Sequence, residues 1–453
     1  MFSAQFSTEH ESRLLNIIPV GYTRDMRIAC IYLPSFPLQA HVRAAPHLAG
    51  TSLAVSDGAA HGARVVVCSR AAWTDGIRPG MPVATARVIA PKARIVAADR
   101  ALYAKAVRAL AESLLSCSEV IELGDTSELV TAHRTIFLEV PARARGNSFG
   151  QKLLTQISRQ GFRGRVGVAD DRFTAHTAAV RVRHRGETAR LDVRDQAPPL
   201  FHQSCTSVPR GGSAAFLAPL PLSYLNIDGD VQHLLETCGV KTLGDFAALP
   251  PPSVGREWIT DDNDFQALAR GQGPSWVRVH DLDDIMAQPL VETLELEYGI
   301  GDAQPLAFAL RKLCDHISHR LVGRQRAASE IELRLTGPES ETSRFQRTLS
   351  RPTMSSQELL GQVLSALQDE LTHPVCSLEL EVRGAVEPET AELDLFSQLA
   401  QAPRAPLASA VASAASDGVR VTEAPRRPHM AQRRSKRARR RHDSAQQSLR
   451  LFD

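Results

Sequence analysis

Aromatic residues are scarce in this 453-residue chain, at 5%, and no apolar run approaches the ~18 residues that a membrane-crossing helix needs. A helical membrane protein is therefore excluded. The seven cysteines (Cys30, Cys68, Cys117, Cys205, Cys238, Cys314 and Cys376) never form a C-x-x-C pair. Neither a zinc ribbon nor a disulfide framework is indicated, and they read as buried thiols of a reducing cytoplasm. Two local absences are sharper. No Asp or Glu occurs between Asp25 and Asp57, and none occurs in residues 426–441, which hold nine Arg/Lys. Set those nine aside and 44 basic residues face 50 acidic ones, so the net charge of +3 hides a mildly acidic body and a strongly basic tail.

What is present is globular: 43% hydrophobic and 23% charged residues, at a length of two to four domains. Residues 1–25 read as a disordered extension, with Met26 as the expected natural start; Glu9 and Glu11 stand where a signal peptide would be basic. Ile28 to Leu33 predicts a buried strand, stopped by Pro34 and Pro37. Short strands follow at 52–55 and 64–68, then a helix-to-turn unit over 69–81. The spacing predicts a helix over 101–115, strands over 136–140 and 164–169, and a helix between them at 150–160. Such alternation implies an α+β or α/β sheet domain. Residues 216–275 are short helical pieces cut by Pro219, Pro221, Gly229, Gly239 and Pro250. Over 288–386 the pattern is β-α-β-β-α-β, provided that 344–349 is a strand; Leu306, Leu310, Leu313, Ile317 and Leu321 mark one face of its first helix. Beyond Phe396 the composition collapses to Ala, Pro, Ser and Arg, too poor in apolar surface to fold.

The most specific local pattern is the run from Leu235 to Leu249, in which one helix ends at Gly239 and another starts after Thr242. This is a helix-hairpin-helix pattern. Gly239, Val240, Lys241 and Thr242 give a tight turn with a cation, and its backbone N–H groups are expected to face a phosphate without reading bases.

In this order of parts the chain resembles the Y-family (DinB/UmuC-like) translesion DNA polymerases over about residues 26–390. Arg78-Pro79-Gly80-Met81-Pro82, with Ala86 and Pro91, is similar to the family's fingers motif, and Val166-Gly167-Val168-Ala169 to a palm signature. Phe216 to Pro221 resembles the ImuB branch, regarded as non-catalytic. The resemblance implies an α+β multidomain fold. Its parts would be a palm (26–40 and 101–195), fingers (41–100), a helix-hairpin-helix thumb (196–280), a little finger (288–390) and a disordered basic tail (391–453). Catalysis in the family uses two Mg²⁺ ions held by palm carboxylates. Where active members carry the first of these, this chain reads Tyr32-Leu33-Pro34. Arg134 and Thr135 stand at the second motif, although Asp125 or Glu128 could be slid into it. Arg70 and Trp73 take the places of the Tyr and Arg that hold the triphosphate. The resemblance therefore implies a non-catalytic homologue with no metal and no cofactor. The alternative is an active polymerase with displaced carboxylates.

Two segments resemble the bacterial clamp-binding peptide. Gln446, Ser448, Leu449, Leu451 and Phe452 close the chain, and Leu393, Leu395 and Phe396 follow the little finger, with Glu392 replacing the usual Gln. The run 426–441 reads either as a solvated, charge-repelled linker or as a sequence-independent contact to DNA or an acidic partner, and it has no aromatics for base stacking. The expected partners are DNA, the sliding clamp, a RecA-like accessory protein of the ImuA type and an error-prone C-family polymerase, in the cytoplasm at the nucleoid.

Overall fold

The computed structural model describes residues 26–60, 62–124, 133–181, 203–250, 259–260, 263–278, 286–367 and 373–388. The chain divides into two units, 1–389 and 390–453, and all described residues belong to the first. Asp125 and Glu128, the basic run and both clamp-like peptides lie outside the described residues.

β1 (Arg27–Pro34) is almost wholly buried, as its unbroken apolar run demands of a central strand. It runs antiparallel to β6 (His133–Val140) on one side and to β7 (Arg165–Ala169) on the other. β5 (Ile121–Glu122) and β8 (Ser204–Ser207) complete the order β5-β6-β1-β7-β8. One face of this sheet packs on α1 (Phe36–Ala44), α4 (Arg100–Leu114) and α5 (Gly146–Arg159), through Ile31, Leu33, Leu110, Leu138 and Leu153. α6 (Arg172–Val180) covers part of the other face, over Ile28, Cys30, Phe137 and Ala169. Gly167 sets that approach: a Cβ there would lie 2.0 Å from the Ala175 carbonyl oxygen, so only glycine lets α6 seat on β7.

A smaller sheet, ordered β3-β2-β4, is built from β2 (Leu53–Ser56), β3 (Val65–Cys68) and β4 (Arg94–Ala97), with α2 (Arg70–Thr74) and α3 (Val83–Ile89) beside it. Next come α7 (Ser213–Leu217), α8 (Gly229–Thr237) and α9 (Leu243–Ala247). The two-residue strands β9 (Ile259–Thr260) and β10 (Asn263–Asp264) and the helix α10 (Phe265–Ala269) follow. Leu217, Leu222, Leu243, Phe246 and Leu268 form the core of this helical part.

The last part is β11 (Leu290–Ile300), α11 (Ala303–Arg324), β12 (Ala327–Thr336), β13 (Thr342–Thr353), α12 (Ser356–Leu367) and β14 (Val375–Val386). It forms one antiparallel sheet, β11-β14-β12-β13, so the segment around 344–349 is the strand that the β-α-β-β-α-β pattern required. The face expected for α11 is its buried one.

This part is clamped to the first sheet's helices. Glu112 of α4 is fully buried and receives Arg320 Nε at 2.5 Å and Arg324 Nη2 at 2.7 Å, both from α11. Arg320 Nη1 also reaches Glu292 of β11 at 2.7 Å, and Arg43 of α1 meets the other Glu292 oxygen at 2.6 Å. A Cβ at Gly323 would lie 1.7 Å from the Glu112 carbonyl oxygen, so the helices touch backbone to backbone at this point. Among the described residues, no helix is long and apolar enough to cross a membrane.

Candidate nucleic-acid interface and the open face of the first sheet

The hairpin forms where the sequence placed it. Gly239 takes φ +89°, the left-handed turn that ends α8, and Thr242 caps α9 in a reciprocal capping box with Asp245. Its amides, however, are not aimed outward. Asp245 Oδ2 accepts the N–H of Lys241 at 3.2 Å and of Thr242 at 3.0 Å, while those of Gly239 and Val240 close onto the carbonyls of Glu236 and Leu235. The backbone groups expected to face a phosphate are thus engaged within the hairpin, where the capping carboxylate takes the amides of Lys241 and Thr242. The Thr242 hydroxyl and these amides in turn hold the Asp245 carboxyl below its usual range. What the hairpin offers a phosphate is the exposed Lys241 side chain. Lys241→Glu is therefore expected to weaken duplex binding and to lower the slope of log K against log salt by about 1, leaving the fold intact. An unchanged slope in a fluorescence-anisotropy titration would make the hairpin a structural corner only.

On the first sheet, Tyr32 and Thr135 are register partners on the face that α6 partly covers. Pro34, at the strand end, pairs with His133. Arg134 pairs with Leu33, is buried, and belongs to the opposite face. The two motif positions thus separate across the sheet, because alternate residues of a strand point to opposite sides. Around Tyr32 the face is aromatic and basic. Tyr32 stacks on His133 at 5.2 Å and meets His176 edge-on at 6.4 Å, and the Arg165 guanidinium lies 4.9 Å from the Tyr32 ring centroid. Burial first, then His133 and Arg172, push His176 down to about 4, so it is neutral near pH 7.

Of the described carboxylates near this face, Glu139 pairs with Ile28 at the far end of β1 from Tyr32, and its buried Oε1 accepts no hydrogen bond, whereas three others are engaged. Glu122 is held by both terminal nitrogens of Arg172, each at 2.6 Å, and accepts the Arg278 N–H. Asp170 meets Arg27 Nε at 3.2 Å and the Gly211 N–H at 2.6 Å. Asp171 caps α6 by accepting from Thr174 N–H. Among the described residues, no group of three or more His, Cys, Asp or Glu side chains could hold a metal ion.

In the smaller sheet's helices, Arg70 is exposed at the first position of α2. Trp73 lies under the Arg78 guanidinium, 4.0 Å from the ring centroid, and its carbonyl accepts from the same arginine. Trp73 is thus part of the local packing.

Two family models match this chain: impB/mucB/samB over residues 31–179, and the impB/mucB/samB C-terminal domain over residues 292–395. Together they span more than half of it. The chain belongs to the impB/mucB/samB family. Its curated relatives include a DNA polymerase IV of Dehalococcoides mccartyi strain CBDB1, 26% identical over 41% of this chain and 43% of that protein. Another is a DNA polymerase IV of Desulfatibacillum aliphaticivorans, 25% identical over 50% of this chain and 52% of that protein. The chain spans about half the length of these relatives. Among solved structures, DinB from Sulfolobus solfataricus matches at 16% identity over 80% of this chain and 100% of that one, with a TM-score of 0.42. The family matches begin inside β1 and inside β11, so they take in most of the first sheet, the smaller sheet and most of the C-terminal one.

Proposed function

We propose that this family member is a DNA-binding, polymerase-like adaptor of error-prone translesion synthesis and DNA repair, of the ImuB type, with no nucleotidyl transfer of its own. One observation carries the reading: β1, the central strand of the first sheet, has no carboxylate, and around its open face Glu122, Asp170 and Asp171 are committed to Arg172, Arg27 and the α6 cap, while Glu139 pairs with Ile28, four residues along β1 from Tyr32. Two-metal phosphoryl transfer needs acidic ligands that are free to take the ions. Here the chain departs from relatives that carry the name of an enzyme.

In this role DNA is bound by charge and backbone, and synthesis is done by a recruited error-prone C-family polymerase. A RecA-like accessory protein and the sliding clamp complete the assembly, which acts in the cytoplasm, at the nucleoid, in DNA-damage-induced mutagenesis. The C-terminal peptide keeps its Gln446 and offers Leu449, Leu451 and Phe452 to a clamp pocket, so it is the stronger of the two clamp-like segments. Each buried apolar side chain is worth about 1.5–3 kcal/mol, and Leu449→Ala with Leu451→Ala should weaken clamp binding at least ~10-fold. Leu395→Ala with Phe396→Ala should cost less. The reverse order in isothermal titration would assign the contact to the segment after β14.

The test of the role itself is a primer–template assay on the purified full chain. Binding without extension is the expected result, in Mg²⁺ or Mn²⁺. Template-directed extension abolished by substituting Asp125 or Glu128 would overturn the reading and install the active-polymerase alternative.

A further inference from the structure

Arg165 enters from the first residue of β7 and is only 9% exposed, and its Nε has no hydrogen-bond partner. Among the described residues no carboxylate forms an ion pair with it. The Tyr32 ring lies beneath it, and the Tyr224 phenol, from the helical part, interacts with it electrostatically. Tyr224 stands in the field of a second guanidinium as well, that of Arg181 just after α6. Arg181 lies 5.5 Å from the Phe216 ring centroid and likewise forms no ion pair among the described residues. Burial raises both Tyr32 and Tyr224 above the ordinary phenol range, so both hydroxyls keep their protons.

Arg165 lies over the Tyr32 ring, Arg181 packs on Phe216, and Tyr224 stands in the field of both guanidiniums, so these hydrogen-bond donors gather at the junction of the first sheet and the helical part. A buried cation without a counter-charge is unfavourable unless an anion completes it. The planar fork of arginine matches the oxygens of a phosphate, and a phenol can add a donor to the same group. We propose that Arg165, Arg181, Tyr224 and Tyr32 form a metal-free phosphate-binding site at the junction of the first sheet and the helical part.

The phosphate could belong to a DNA backbone or to a free phosphomonoester, and the experiment separates them. The first arm is independent of the adaptor reading. Thermal unfolding of the full chain is followed in chloride buffer while inorganic phosphate replaces chloride at constant ionic strength. The wild-type midpoint should rise with phosphate concentration, as for any ligand of the native state. Arg165→Gln should abolish the rise, and Arg165→Lys should restore part of it. Arg181→Gln should reduce the rise, and it provides a second test should Arg165→Gln fold poorly by circular dichroism.

The second arm rests on the adaptor reading. If the ligand is a backbone phosphate, Arg165→Gln should also lower the salt slope of duplex binding by about 1. A lost phosphate response with an unchanged DNA slope assigns the site to a free phosphomonoester. Equal phosphate responses in wild type, Arg165→Gln and Arg181→Gln, with equal DNA slopes, would overturn the site.

Discussion

Arg320→Met is expected to destabilise the protein by about 3–5 kcal/mol, because it leaves two buried carboxylates without their shared partner. Arg320 is the centre of the clamp between α4 and the C-terminal sheet: one guanidinium serves both Glu112 and Glu292. Arg324 still reaches Glu112 and Arg43 still reaches Glu292, so each acid keeps half of its compensation. Replacing the acids as well, with Glu112→Leu and Glu292→Leu in the Arg320→Met background, should recover only part of the loss, since Arg43 and Arg324 then lose their own carboxylate partners. Urea unfolding checks both. A single variant within about 0.5 kcal/mol of wild type would show the clamp to be a surface feature.

The same cluster sets an acid limit. Burial alone would raise Glu292, but Arg43, the His316 hydrogen bond and Arg320 together bring it below its ordinary value of 4.5. The folded-state pKa is thus depressed. The stabilisation is complete at pH values above 4.5 and is lost as pH falls from there toward the folded-state value. The loss with falling pH should be smaller in the triple variant, which has neither acid.

Gly167→Val should cost about 3 kcal/mol, the upper part of the range for overpacking. Its Cβ would meet Ala175 O at 2.0 Å and Ala179 N at 2.6 Å, both backbone atoms that cannot swing aside. α6 must lift from β7, carrying Arg172 away from Glu122 and unsettling the face on which Tyr32, Arg165 and His176 meet. Gly58→Ala is the control: a Cβ there meets nothing within 4 Å, and a change within about 0.5 kcal/mol is expected. A well-tolerated valine at 167 would mean that α6 is not seated by this contact.

The sheets were legible because their signals are local. The apolar run of β1, the alternation in β12 and β14 and the stripe on α11 each lie within one element, and the β-α-β-β-α-β order followed from them. The hairpin was legible as a turn, because Gly239 and Thr242 are turn and cap residues. It misled about its amides, because whether Asp245 turns back onto Lys241 and Thr242 depends on the cap geometry. The clamp was missed altogether. Arg43, Glu112, Glu292 and Arg320 are far apart in the chain, and only their burial joins them. Two traces of it were readable: Glu112 stands alone in the apolar run from Leu110 to Leu115 apart from Ser113, and His316, Arg320 and Arg324 recur every four residues along one helix. The Arg165–Tyr224–Arg181 cluster left no such trace, since its members come from a strand start, a helix end and a short 3₁₀ turn (Leu222–Leu225).

Mn²⁺ binding followed by electron paramagnetic resonance tests most directly the proposal that this sheet face takes no catalytic metal. The full chain is titrated with Mn²⁺ in the presence of primer–template and a non-hydrolysable nucleoside triphosphate analogue, with analogue and DNA alone as the reference. Protein should withdraw no Mn²⁺ signal beyond that reference, because β1 supplies no carboxylate and Glu122, Asp170 and Asp171 are engaged elsewhere. Withdrawal of two Mn²⁺ per chain, dependent on DNA and nucleotide together, would contradict the account.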